Sequence, residues 1–195
     1  MKKIFAVLVS LGVCLSSVLA MAAAPDFTLS DTHGQTHSLA DFGGKHVVLE
    51  WFNPDCPYVR KHYDSGNMQA LQGKYVEQGV VWLSINSSAQ GKQGHYQPGE
   101  YNEILSQRDS QATALLLDHD GVAGHTFGAK TTPHMFIIDP KGRIIYSGAI
   151  DDNSSANPRD ALTADNYVAQ ALDEALGGDE VSLPKTRSYG CSVKY

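Results

Sequence analysis

No Cys-x-x-Cys pair occurs in the chain, and the 195 residues hold only 3 cysteines, Cys14, Cys56 and Cys191. That scarcity excludes a disulfide-stapled miniature fold, a zinc ribbon and a local redox dithiol. Basic residues are also few. Lys and Arg number 15 against 21 Asp and Glu, a net charge of −6, which argues against nucleic acid or an anionic membrane surface as a partner. Internal repeats, charge blocks and low-complexity tracts are absent, so a solenoid, an interaction tail and a disordered linker are all disfavoured. One domain with a real core suits the length.

The longest uncharged stretch is N-terminal. Lys2 and Lys3 precede an apolar run from Ile4 to Val13, and small residues follow at Ala20, Ala22 and Ala23. This is the pattern of a secretory signal peptide, too short and wrongly flanked to span a membrane. The expected organisation is a signal peptide at 1–22, an α/β domain at 23–178 and a tail at 179–195. Val13 is too bulky to precede a lipidated Cys14, so a protein without membrane insertion after cleavage is expected, periplasmic or secreted. Cys14 leaves with the signal. In an oxidising compartment the remaining Cys56 and Cys191 tend to pair, with each other or with a partner.

The stretch Glu50 to Tyr63, EWFNPDCPYVRKHY, organises the rest. An apolar run from Val47 to Phe52 breaks at Asn53-Pro54-Asp55 and brings Cys56 to the start of a helix, with Pro57 at its first position. Unpaired N–H groups there favour an anionic sulfur, and Arg60 or Lys61, about one turn on, is within reach of it. Cys56 is therefore the candidate nucleophile, against the alternative of an inert core cysteine. Glu50 is the one acid in the apolar strand. Burial would raise its pKa and suit it to move the thiol's proton, unless it simply bonds Lys45 or His46.

Around this stretch the pattern gives a hairpin over Asp26–Leu29 and Gln35–Leu39, then a brief helical turn before Gly43. Helical spacing runs from Tyr58 to Tyr75 with a break near Asp64–Asn67. A strand over Val80–Ile85 precedes a long loop, Asn86–Gly99, on the ligand side of an open sheet. A helix over Glu100–Gln107, a strand over Ala114–Leu117 and a helix over Val122–Phe127 follow. Met135–Ile138 and Arg143–Tyr146 form a hairpin around Asp139-Pro140-Lys141-Gly142. Thr163 or Asp165 would cap a last helix ending at Gly177-Gly178.

LEWFNPDCPYVR at Leu49–Arg60 and FGAKTTPHMFIIDPKGRIIYSGAI at Phe127–Ile150, in this order of elements, resemble the thioredoxin-like fold. The likeness is greatest to its exported redoxin branch, which holds the thiol-specific antioxidant and cytochrome-maturation proteins. The resemblance implies a central mixed β-sheet flanked by helices, with an N-terminal hairpin and a C-terminal extension. It makes Pro133 a cis-proline across from Cys56, Thr132 a backbone contact for bound substrate, and Glu50 a buried proton-transfer acid. Pro57, Tyr58 and His134 fall beside these positions as candidate substrate-binding residues, His134 also as a neighbour that tunes Cys56. Two departures stand out. Val59 occupies the place of the thioredoxins' second cysteine, and Asn53 that of the peroxiredoxins' threonine.

A thiol-dependent oxidoreductase is the expected function. Cys56 attacks a protein disulfide or a peroxide, Cys191 resolves the product, Asn53 and Arg60 support the developing charge, and a separate thiol donor returns electrons. No cofactor is required. One alternative is a permanent Cys56–Cys191 staple, stabilising by ~4–5 kcal/mol in the chain-entropy model, on a thioredoxin-like module without turnover. Another is copper handling by thiolate, imidazole and thioether. Cys56 and His62, six apart, do not share a helical face, so spacing supports no preformed metal site.

Overall fold

The computed structural model describes residues 23–195. The expected signal peptide and Cys14 lie outside the described residues.

Asp31 shapes the first turn, its Oδ1 accepting from His33 and Gln35 N–H at 2.8 and 2.9 Å. It joins β1 (Thr28–Asp31) to β2 (Thr36–Ser38). A 3-10 turn over Leu39–Phe42, capped by Ser38, leads into β3 (Val47–Trp51), every residue of which is buried. The helical pattern after Cys56 breaks as expected, into α1 (Pro57–Asp64) and α2 (Asn67–Glu77), where Gly66 takes a φ of 76°. Then come β4 (Val81–Asn86), α3 (Pro98–Gln107), β5 (Ala114–Leu117) and α4 (Val122–Phe127). The chain continues through β6 (Thr131–Thr132), β7 (Met135–Ile138), β8 (Ile144–Gly148), α5 (Tyr167–Gly177) and β9 (Cys191–Ser192). Asn166, not Thr163 or Asp165, caps α5, because an unforeseen 3-10 turn over Pro158–Leu162 takes up the chain just before it.

The main sheet has seven strands in the order β2-β1-β5-β4-β3-β7-β8. β3, β4 and β5 are parallel, while β7 runs antiparallel to both β3 and β8. The hairpin does not merely precede this sheet. It joins it through antiparallel pairing of β1 with β5. Alternation along β3 splits the core: Val48 faces Val59, Tyr63, Met68, Val168 and Leu172 on one side, and Val47, Leu49 and Trp51 face Phe27, Phe127 and Phe136 on the other. Burial on both faces explains the continuous apolar run.

The tail reaches the face that carries Cys56, as a resolving Cys191 requires, and it is docked along its described length. Ser147 N–H donates to Pro184 O at 3.0 Å and Thr186 N–H to Ser147 O at 3.1 Å, beside β8. β9 then pairs antiparallel with β6, Thr131 opposite Ser192 and Thr132 opposite Cys191. Val193 packs into the second core, and the Tyr195 ring stacks on His125 at 3.9 Å. Backbone partners and apolar contacts hold a segment whose composition alone reads as loop.

A buried ion pair ties the tail to α1. Lys61 Nζ donates to Asp151 Oδ2 at 2.9 Å with both side chains essentially inaccessible, 0% and 1% exposed. Tyr189 donates to the same carboxylate and receives from Lys61 Nζ at 3.2 Å. Removing one partner of such a pair strands a buried charge, so Lys61→Ala is expected to lower unfolding stability by about 3–5 kcal/mol. Lys74→Ala, which breaks the exposed pair with Asp173, should cost under about 1 kcal/mol. Urea unfolding of the two variants measures the contrast.

Candidate active site

At the end of β3 the chain turns on Asn53, whose Oδ1 accepts from Asp55 N–H at 2.9 Å while its carbonyl accepts from Cys56 N–H at 3.1 Å. Cys56 is the N-cap of α1 and Pro57 its first residue, as the sequence predicts. The cysteine is 0% exposed. Its Sγ donates to the carbonyl oxygen of Thr132 at 2.9 Å. The Thr132–Pro133 bond is cis, as expected. Cys191 is the residue paired with Thr132 across the small sheet. Burial, followed by the neighbouring Cys56, pushes the Cys191 thiol up to about 11. Cys191 is half-buried, whereas the candidate nucleophile Cys56 is fully buried.

The cations expected at Cys56 are elsewhere. Arg60 is 59% exposed and reaches Asp64 Oδ2 at 3.9 Å, and Lys61 is committed to Asp151. Neither bonds the sulfur. The cation that does meet this turn is Arg108 at the end of α3, donating through Nη2 to Pro54 O at 2.7 Å, with its guanidinium 5.9 Å from the Phe52 ring centre and 5.5 Å from that of Tyr63. Local spacing around Cys56 could not reveal it. Asn53 has one of its two amide hydrogens engaged. Its Nδ2 is bonded to Gln93 O at 3.1 Å and fixes the long loop beside the turn.

His134 is likewise not a neighbour of the sulfur by hydrogen bonding. Its Nδ1 accepts from Lys130 N–H at 3.2 Å, its ring lies 4.5 Å from Phe136, and burial followed by the Lys130 charge brings its pKa down to about 4. Pro57 is exposed, and Tyr58 is half-buried, meeting the Tyr189 ring edge-on at 5.9 Å. Two tail residues were missed. Tyr189 anchors the approach to Cys191, and Gly190, at φ 134°, is pressed so closely on Thr132 that a Cβ would overlap its carbonyl oxygen. The only sequence signal for either was the Tyr-Gly-Cys run itself. Among the described residues no three His, Cys, Asp or Glu side chains converge as a metal site.

Glu50 is fully buried beneath the turn but bonds neither Lys45 nor His46. Four donors converge on its carboxyl: Tyr63 Oη at 3.1 Å, Gln72 Nε2 at 3.2 Å, Trp82 Nε1 at 2.9 Å and Ser84 Oγ at 3.1 Å. Burial raises its pKa in spite of them, so the unfolded chain gives up this proton more readily than the folded one. Stability from this group is then complete below the unfolded pKa of 4.5 and is lost as pH rises toward the folded value. Glu50→Gln, which keeps a neutral side chain, is expected to gain on wild type in urea midpoint between pH 4 and pH 8. A difference independent of pH would show that Glu50 ionises equally in both states.

Over 129 residues the chain is 27% identical to the thiol-disulfide oxidoreductase ResA of Geobacillus thermodenitrificans, covering 66% of this chain and 68% of that one. An uncharacterised conserved protein from Geobacillus kaustophilus superposes with a TM-score of 0.78 at 23% identity, over 90% of this chain and 91% of that one. A hypothetical protein from Sinorhizobium meliloti gives 0.76 at 22% identity, over 92% and 96%. The mixed seven-stranded sheet flanked by helices is the thioredoxin-like fold expected from the sequence. Residues 21–147 match the AhpC/TSA family. Since that match takes in well over half of the chain, with the Cys56 turn and Pro133 inside it and Cys191 beyond it, the protein belongs to the AhpC/TSA family.

Proposed function

We propose that the protein is an exported thiol-disulfide oxidoreductase whose working couple is Cys56 and Cys191. The observation that carries this reading is the meeting of both cysteines at Thr132, one through its sulfur and the other through strand pairing. The name borne by the curated relative, thiol-disulfide oxidoreductase, supports the same reaction class. Export rests on the signal pattern at 1–22. Among the described residues no helix is long and apolar enough to cross a membrane.

In the forward direction the Cys56 thiol gives up its proton to solvent, and the thiolate so formed attacks one sulfur of a partner disulfide. A Cys56–partner mixed disulfide forms, and one partner thiolate leaves and takes up a proton. Cys191 then loses its proton to solvent and attacks the Cys56 sulfur, forming Cys56–Cys191 and releasing the second partner thiolate. Two electrons pass from the cysteine pair to the partner, and a separate thiol donor returns them.

Peroxide reduction is less well supported. Splitting an O–O bond needs donors aimed at the departing oxygen, and here Arg60 is paired outward with Asp64 while one of the two Asn53 amide hydrogens is taken by Gln93.

The test is reaction of the reduced protein with a cystine-bridged peptide, followed by intact mass. Wild type is expected to end as an intramolecular Cys56–Cys191 disulfide, and Cys191→Ser to stop at a stable peptide adduct on Cys56. Toward hydrogen peroxide, Cys56 should react no faster than free cysteine. Rapid peroxide consumption with trapped sulfenic acid in Cys191→Ser would replace this reading with a peroxidase.

A further inference from the structure

Cys56 is completely buried, and the chain's own tail is paired with the strand that its sulfur bonds, Cys191 packing against the core cluster that contains Cys56. The two residues of β6 have a single strand partner, β9. Upstream of β9, Tyr189 is bonded to Asp151, to Lys61 Nζ and to His62 Nε2, the latter two at 3.2 Å. Downstream, Val193 N–H donates to Lys130 O at 3.2 Å, Lys194 O accepts from Ala89 N–H at 2.8 Å, and Tyr195 Oη donates to Ala129 O at 2.9 Å. Between these anchors the ladder is only two residues long. Such a contact is short enough to open locally while the seven-stranded sheet stays folded.

An external sulfur cannot reach Cys56 while β9 is seated. Once β9 leaves, Thr131 and Thr132 expose an unpaired backbone edge next to the sulfur, and an unpaired edge is a template for an incoming extended segment. A reactant that pairs with that edge recovers the hydrogen bonds lost with β9. A small disulfide recovers none of them and must wait for spontaneous opening, so its apparent rate falls with the fraction of open molecules.

We propose that residues Tyr189–Tyr195 form an internal competitor strand that sets the specificity of Cys56, admitting extended cysteine-bearing protein segments that displace β9 and holding back small disulfides. Gly190 is the specificity-determining residue. Any side chain there meets the Thr132 carbonyl and unseats the strand. The inference rests on the exchange chemistry proposed above and adds to it what the substrate must bring.

The experiment measures the reaction of Cys56 with two probes, 5,5′-dithiobis(2-nitrobenzoate) and a cystine-bridged extended peptide, with peptide mass locating the adduct. Cys191→Ser is the parent, and Gly190→Val and Tyr189→Phe are added to it. In Gly190→Val the small disulfide should react about tenfold faster or more, and the peptide less than about threefold faster. Tyr189→Phe, which removes one anchor and leaves the backbone unstrained, should shift both rates the same way by a smaller factor. In the peptide adduct, amide exchange should quicken over residues 188–195 and stay slow over 130–133. Equal acceleration of both probes would reduce the tail to a simple cover. Unchanged rates, or fast exchange over 130–133 in the adduct, would overturn the proposal while leaving the exchange chemistry intact. Failure of Cys56 to react with either probe even in Gly190→Val would sink the exchange chemistry itself.

Discussion

The carbonyl oxygen of Thr132 is the point on which the site depends. It accepts the Cys56 thiol, lies on the backbone edge that pairs with Cys191, and leaves no room for a side chain at Gly190. Three segments distant in sequence therefore meet at one atom. Each is held from behind by a different device: the Cys56 turn by Asn53, the Thr132 edge by its junction with β7, and the tail by Tyr189 and Tyr195. Moving any one of them alters the environment of both sulfurs.

Charge is distributed in a way that composition does not suggest. The chain is acidic as a whole, yet its most deeply buried ionic feature is a lysine, Lys61, enclosed by Asp151, the Asn153 carbonyl and Tyr189. Glu50 stands alone among neutral donors and is pushed toward its protonated form. The two residues lie on either side of Cys56 in sequence but serve different ends. One fastens helix to tail, and the other sits in the floor of the strand that leads to the cysteine. His62 follows from the same arrangement, held near a pKa of about 3 by burial and by the adjacent Lys61 charge.

The sequence made the scaffold readable because its signals are local. The Val47–Trp51 run, the Asp139–Gly142 turn, Pro57 at a helix start and the break near Gly66 each depend on neighbours a few residues away, and each is found as expected. Cys56 and Pro133 were legible because a turn and a motif mark them. What stayed hidden is long-range. Arg108 reaches Pro54, Asn53 binds Gln93, and Tyr189 finds Asp151 through contacts that no periodicity encodes. Arg60 misled for the matching reason, since one helical turn of proximity to a cysteine does not tell which way a long side chain runs.

The docked tail divides into two halves with different consequences. Its second half, from Ser188 onward, concerns the cysteines. Its first half lies along β8, where Pro184 and Thr186 exchange backbone hydrogen bonds with Ser147. β8 is the last strand of the sheet on that side, and bare terminal strands invite pairing between molecules. Pro184 through Thr186 thus blocks a route to aggregation. A chain cut before Pro184 would lose solubility as well as Cys191, whereas one cut after Arg187 would lose the cysteine and keep the protected margin.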